Sequence, residues 1–549
     1  MQQAPAVSVI IPTCDRPDLL RVALASLAWQ SFTNFEAVVV NDGETDISAV
    51  LAEFADRLNL VAVEHSVRRM GISAARNTGI RLSRGEYLVY LDDDDFFYKE
   101  HLECLHKAVK SSQYKVVYTD GILAEQELLG GVYDTVARHI PTSEDFDPAV
   151  LAQKNITPVL TLIHEKSCLR RSLTFAPYLR GHEDWDLWQR MGRHYRFRHM
   201  PYLTAEYTVR MGAASLSTAK SRMAESWLFV RQQGLLHSAL PPVYALEERA
   251  AKAISLGQAS GPCRASVILS LGRAEALEGN ASALHALERL CNSTRGAAGV
   301  QLILAGAGSG MPELYRRFAP RLQRPLRCVC NSEDVGRVLC ANQAASLAEG
   351  EWLVFLEPGV EVCDGWLDSL LGAAGELPGA GALGGVVEAP RIGSFAGGKL
   401  DDQGELRFNR LPRQAEPSGP VPVECLSGLC LMVRREHFAA LGGFNAAFAP
   451  GHYADADLCL RLRQQGFASF AVPQARLLWN RDDSPLSQSP AGLVSRRAFW
   501  DSWVDAPFSL SLFTSGAEWS MRPASLAGLF PSDGLMPESF EVELPPQFR

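Results

Sequence analysis

The stretch Glu86-Tyr87-Leu88-Val89-Tyr90-Leu91-Asp92-Asp93-Asp94-Asp95 decides the reading of the whole chain. Tyr87–Leu91 is an apolar, aromatic run of strand type, and it ends in four adjacent carboxylates. Like charges this close repel, so the strand end needs a cation, hydrogen-bond donors or solvent in front of it. Alone, four aspartates read as a solvated acidic turn. Their place at a strand end, with other polar strand ends upstream, weighs against that.

Working outward, Val7–Ile11 is a second apolar run, followed by the turn Pro12-Thr13-Cys14-Asp15-Arg16-Pro17. Leu20, Ala23, Leu24 and Leu27 then recur at helical spacing, which predicts an amphipathic helix starting near Asp15 or Asp18. Phe35–Val40 predicts a strand that ends in Asn41-Asp42-Gly43, Ser73–Leu82 a helix, and Val116–Tyr118 a strand ending in Asp120. Strands alternating with helices predict an α/β fold, Rossmann-like, with a mostly parallel sheet covered on both faces. In such sheets ligands sit beyond the carboxyl ends of the strands. Asp15, Asp42 and Asp92–Asp95 are thereby set along one edge. Two carboxylates at that edge suit Mg²⁺ or Mn²⁺ and leave positions for diphosphate oxygens.

A second, weaker copy begins near residue 264. Ser266-Val267-Ile268-Leu269 matches Ser8-Val9-Ile10-Ile11, and Glu351-Trp352-Leu353-Val354-Phe355-Leu356 mirrors Glu86–Leu91. Gly336 and Gly350 are spaced like Gly71 and Gly85, with Asn342 at the place of Asn77. Asp455-Ala456-Asp457-Leu458 mirrors Asp184-Trp185-Asp186-Leu187. Copies of this length are duplicated domains rather than solenoid repeats. The predicted organisation is 1–214 as first domain, 215–262 as helical connector, 263–485 as second domain and 486–549 as C-terminal extension.

The 549 residues, at roughly 100–200 per domain, agree with several domains. With 47% hydrophobic and 21% charged residues, wholesale disorder is excluded. The formal charge of -9 and the lack of any Lys/Arg block argue against a nucleic-acid partner. Apolar runs fall far short of the ~20 residues of a membrane span, so membrane contact is expected to be at most peripheral. The first residues lack the basic region of a signal peptide, and the 12 cysteines are scattered without CxxC pairs. The expectation is a cytoplasmic chain with reduced thiols and no zinc site.

Six pieces, in order over roughly residues 6–212, resemble glycosyltransferase family 2 with the GT-A fold: Val9-Ile10-Ile11-Pro12-Thr13, Gln30-Ser31-Phe32, Val39-Val40-Asn41-Asp42-Gly43, Ala75-Arg76-Asn77-Thr78-Gly79, Leu91–Asp95 and Glu183-Asp184-Trp185-Asp186. The resemblance implies a metal-dependent, inverting transferase that uses a nucleoside-diphosphate sugar. Pro12 and Thr13 fall on the nucleotide-binding strand end, and Asp42 on the carboxylate that accepts a uracil or thymine N–H. Asp92, Asp93 and Asp94 fall on the DXD-type motif, with Asp94 and Asp92 toward Mn²⁺ or Mg²⁺ and Asp93 toward the ribose. Arg76, with Asn77 beside it, falls near the diphosphate, where a guanidinium suits phosphate geometry; the residue type alone also fits a surface helix arginine.

Asp184, paired with Glu183, falls on the catalytic base. An inverting transfer needs a carboxylate to take the acceptor hydroxyl's proton, and Glu183 and Trp185 would lift its pKa. The same pair suits an N-cap for a helix over Trp185–Met191. His182 and His199 read as structural, and Trp185 and Trp188 as core rather than sugar-stacking platforms.

In the second copy Gly306 replaces Asp42, Ala341 replaces Arg76, and Glu357-Pro358-Gly359 replaces Asp92-Asp93-Asp94, while Asp455 is retained. The second domain is therefore expected to be degenerate at the donor site. The leading reading is transfer from a UDP- or dTDP-type donor to a hydroxyl of a cytosolic acceptor, either a surface glycan or a protein such as a flagellar or pilus subunit. The competing readings are a bifunctional transferase with both domains active, and a non-catalytic glycan- or partner-binding protein.

Overall fold

The computed structural model describes residues 4–65, 67–129, 132–169, 173–179, 181–210, 215–257, 263–273, 281–294, 299–389, 393–400, 406–410, 419–449, 453–479 and 490–503. The chain divides into two compact units, with the boundary between Leu240 and Pro241. Each unit is α/β, as the alternation of strand and helix patterns predicts.

Unit 1 opens with β1 (Val7–Thr13), α1 (Pro17–Ala28), β2 (Phe35–Asn41), α2 (Ser48–Ala52), β3 (Leu60–Glu64), α3 (Ile72–Leu82) and β4 (Tyr87–Tyr90). It continues with β5 (Phe96–Phe97), α4 (His101–Lys110), β6 (Val116–Leu129), β7 (Val132–His139), α5 (Pro148–Leu151), β8 (Leu162–Glu165), α6 (Glu183–Gly192), β9 (Phe197–Arg210) and α7 (Ser215–Ser238). The sheet runs β3-β2-β1-β4-β8-β6-β9-β5, with β7 on β6. β3, β2, β1 and β4 are mutually parallel. β8 then enters antiparallel to both β4 and β6, so the sheet is mixed beyond the point where a mostly parallel one is expected.

β1, β2 and β4 are buried on both faces, which is why they read as continuous apolar runs, whereas β3 at the sheet edge is half-exposed. Val7, Val9, Ile11, Val39 and Val89 pack under α1 and α4. Ile10, Leu88 and Tyr90 pack on the other face with Ile80 of α3, Trp185 and Trp188 of α6, and Phe229 of α7. Both tryptophans are core residues; truncating either to alanine costs about 3–5 kcal/mol.

Unit 2 repeats the plan. Its strands Ala265–Arg273, Val300–Ala307, Arg327–Asn331 and Trp352–Leu356 form the same parallel set. The correspondence extends to individual bonds. Ser8 Oγ donates to Glu36 Oε1 at 2.7 Å and accepts from Gly85 N at 2.8 Å; Ser266 Oγ donates to Gln301 Oε1 at 2.6 Å and accepts from Gly350 N at 2.9 Å. A Cβ on either glycine would lie 2.6 or 2.4 Å from the strand amide, so both sites need glycine. This pairing sets Glu36 against Gln301, and by register Ala307, not Gly306, stands at the position of Asp42.

The segment expected as a connector is divided between the units. α7 packs on α5 and α6 of unit 1, whereas the helix Val243–Ala250 and the strand Ile254–Leu256 pack within unit 2. α7 follows β9 just as the helix Pro490–Trp503 follows the strand Ala468–Trp479, so each copy closes with a helix. Residues 504–549, the greater part of the expected extension, lie outside the described residues. Among the described residues no helix is long and apolar enough to cross a membrane.

Candidate active site

The carboxyl ends of β1, β2 and β4 are joined through Thr13. Its carbonyl accepts from Asp42 N at 2.9 Å, and its hydroxyl donates to Asp93 Oδ2 at 2.7 Å. Pro12, one residue earlier, is buried within β1 in register with Val40 of β2. Asp15 takes a left-handed backbone (φ 56°) and turns its carboxylate back onto the loop after β2. Its Oδ1 accepts from Glu44 N and Thr45 N at 2.7 and 2.9 Å, bonds that hold its pKa below the ordinary carboxylate value.

Asp42 sits where the sequence puts it, with most of its acceptor capacity used by the protein. Oδ1 receives Met70 N at 3.0 Å and lies 2.8 Å from His65 Nδ1, and Oδ2 receives Gly71 N at 2.8 Å. These bonds fix the left-handed residues Arg69 (φ 59°) and Gly71 (φ 99°) and so set where α3 begins. One lone pair of Oδ2 is left for a further donor. His65, which nothing in the local spacing singles out, is held in turn by Thr78 Oγ1 at 2.9 Å.

The four aspartates are not equivalent. Asp93 and Asp95 are buried: Asp93 pairs with Arg16 at 2.5 Å, and Asp95 accepts from Thr208 N of β9 at 3.0 Å. Burial pushes Asp93 up to about 7 against the pull of Arg16, and burial with the Asp94 and Asp92 charges raises Asp95 well above its ordinary value. Asp92 and Asp94 keep 21% and 22% of their side chains exposed. Arg16 and Arg210 both reach Asp94 Oδ2, at 2.9 and 3.1 Å. Among the described residues no three His, Cys, Asp or Glu side chains form a metal cage. Asp92 and Asp94, as partly exposed hard-oxygen donors with lone pairs beyond those their arginines use, instead suit a cation whose shell is completed by phosphate oxygens.

Arg76 is turned into the protein. Its side chain is 1% exposed. Its Nη2 holds Asp92 bidentately at 2.7 and 2.9 Å, its Nη1 holds Glu183 at 2.6 Å, and its carbon Cζ lies 5.1 Å from the centre of the Phe175 ring. Burial alone would lower its pKa, but Asp92 and Glu183 raise it, so the guanidinium stays charged. Asn77 also bonds within the protein: its amide donates to Phe175 O at 2.8 Å and accepts from Phe175 N at 3.1 Å, clipping that segment to α3.

α6 begins at Glu183 after His182, whose left-handed backbone (φ 59°) turns the chain into the helix. Asp184 Oδ2 accepts from Asn155 Nδ2 at 2.9 Å and Oδ1 from Trp185 N at 2.7 Å. Burial and the Glu183 charge raise its carboxyl to about 6, with Arg76 pulling the other way. His199 is braced between Asp120 and Asp145.

Arg76 thus joins Asp92 at the strand edge to Glu183, the neighbour of Asp184. Asp455 belongs to unit 2, where it accepts from Gly428 N and Ala456 N. Arg16, His65, Asn155 and Arg210 escape the sequence reading because their partners lie far away along the chain.

The sequence model of glycosyl transferase family 2 matches residues 8–154. An uncharacterized glycosyltransferase of Haemophilus influenzae is 28% identical over 41% of this chain and 86% of its own. The uncharacterized protein y4gI of Sinorhizobium fredii is 24% identical over 87% of this chain and 53% of its own, so the chain spans about half of that relative. Among solved structures, TarS residues 1–349 of S. aureus in complex with UDP is 20% identical over 45% of this chain and 70% of its own, with a TM-score of 0.33. The family match gives unit 1 a glycosyl transferase family 2 domain at residues 8–154.

Proposed function

We propose that unit 1 transfers a sugar, with inversion, from a UDP- or dTDP-type donor to a hydroxyl of a glycan or protein acceptor. The observation that carries this reading is Asp184: a carboxylate held by Asn155 and its own helix amide, raised to about 6, and linked through Glu183 and Arg76 to Asp92. A base with a pKa near 6 is ionised at neutral pH and still basic enough to take a proton from an attacking hydroxyl. Asn155 and Trp185 N aim its two oxygens, and Glu183 keeps negative charge beside it.

The free lone pair of Asp42 Oδ2 suits the imide N–H of a uracil or thymine base. Asp94 and Asp92 would hold Mn²⁺ or Mg²⁺. Such a cation, when bound, supplies charge stabilisation for a leaving diphosphate. Arg16 and Arg210 already bring positive charge to the same edge.

The test is calorimetric titration of the full chain with UDP and dTDP, with and without Mn²⁺, alongside hydrolysis of the corresponding sugar nucleotides. The reading predicts nucleotide binding that strengthens with Mn²⁺, and loss of that increment in Asp94→Ala. An Asp94→Ala chain with undiminished Mn²⁺-dependent turnover would remove the cation assignment. A chain that binds neither nucleotide would remove the function.

A further inference from the structure

The two copies separate what the fold needs from what the chemistry needs. Several buried bonds are common to both. The Asn77 clip on Phe175 recurs as Asn342 on Phe444, at 2.8 and 2.9 Å. The helical pair Asp186–Arg190 recurs as Asp457–Arg461, each arginine also donating to backbone carbonyls of the preceding segment. Left-handed His182 recurs as left-handed Tyr453 (φ 63°), and Gly71 as Gly336 (φ 81°).

Against that shared frame, the Asp92–Arg76–Glu183 bridge is replaced as a set. With Asn342 matching Asn77 and Tyr453 matching His182, Arg76 becomes Ala341 and Glu183 becomes Ala454, both buried in an apolar cluster. Asp92 becomes Glu357, which pairs with Arg337, and Arg337 stands where unit 1 has Ile72. Packed alanines therefore serve this position in the same architecture. A buried ion-pair triad is in any case weak support for stability, because apolar packing of similar shape replaces it.

We propose that Arg76 is a positioning residue for glycosyl transfer: its fork locks Asp92, on the donor edge, and Glu183, beside Asp184, into one rigid arrangement that sets the donor and the proton acceptor in register. This rests on the function proposed above. The guanidinium is enclosed, so it acts through its partners rather than on a substrate. Its two terminal nitrogens reach in two directions, Nη2 to both oxygens of Asp92 and Nη1 to Glu183, which the single nitrogen of a lysine cannot reproduce. The Phe175 ring beside it is fixed by the Asn77 clip. A displacement of about 1 Å in such an arrangement costs on the order of 10²-fold in rate.

The experiment installs the second copy's solution in the first. The full chain carrying Ile72→Arg, Arg76→Ala and Glu183→Ala is compared with wild type and with Arg76→Lys. Melting temperature, UDP affinity by calorimetry, and Mn²⁺-supported hydrolysis of UDP-glucose and UDP-N-acetylglucosamine are measured. The triple variant is expected to fold, to bind UDP and keep its donor KM within about threefold, and to lose at least ~10²-fold in kcat. Arg76→Lys is expected to lose at least ~10-fold in kcat with KM unchanged, and it decides the matter if the triple variant does not fold. Wild-type kcat in a folded variant overturns the proposal, as does a loss of UDP affinity as deep as the loss of turnover. A wild-type chain inert toward both donors overturns the proposed function itself, and is scored before any variant is compared.

Discussion

At Asp184 stability and the proposed function pull in opposite directions. Its carboxyl is raised to about 6 in the folded chain, chiefly by burial and then by Glu183. The protonated form is thus the one the fold prefers, and the stability it contributes is lost as pH rises through about 6. Two predictions follow from that sign. As the proposed base it must be ionised, so kcat should climb through about pH 6 and level off above it, read from a pH–rate profile. Asp184→Asn removes a charge the fold disfavours, so at pH 7.5 the variant should melt no lower than wild type. Recovery of about 1 kcal/mol would raise Tm by about 2–4 °C, measured by calorimetry. Asp42, Asp92–Asp95 and Asp184 were legible from the sequence because strand ends and a helix start fix where they lie. The partners of Arg76 were not legible, because helical spacing locates a residue on α3 without naming the long-range groups that close over it. Asn155 and Arg210 left no local signal at all.

At the scale of elements, the clips that hold α3 and its counterpart Arg337–Ser346 are architectural. Asn77→Ala leaves the backbone N–H and C=O of Phe175 without these partners and should cost about 1–3 kcal/mol of stability. UDP affinity should hold to within about threefold, since Asn77 faces the protein. A fall in Tm without a fall in UDP affinity is the expected pairing. β1, β2 and β4 were readable as apolar runs because both their faces are buried, whereas β3, half-exposed at the sheet edge, was not. The mixed half of the sheet was not, since β8 is only four residues long and its direction is set by pairing with β4 and β6. The expected strand Val116–Tyr118 is only the start of β6, whose later part carries polar residues and pairs with β7 and β9.

Over the whole molecule, the duplication was visible in matched strands and glycines, and the structure extends it to buried hydrogen bonds and a closing helix. The one-residue difference at Asp42 arose because aligned letters do not show which residues pair across the first two strands; Ser8 opposite Glu36 and Ser266 opposite Gln301 set that register. Unit 2 keeps Asp455, but its neighbour is Ala454, and no arginine stands at position 341. Asp455→Asn in the full chain should therefore leave donor hydrolysis within about threefold of wild type, whereas an equal loss to that of the first-unit variant would make unit 2 catalytic. The central claim, that Asp184 is the base of a glycosyl transfer, is tested most directly by Asp184→Asn in the full chain, with kcat for donor hydrolysis and UDP Kd measured on one preparation. The account predicts a kcat at least ~10²-fold lower with UDP Kd within about threefold; a variant that keeps wild-type kcat, or that loses UDP affinity instead, would contradict it.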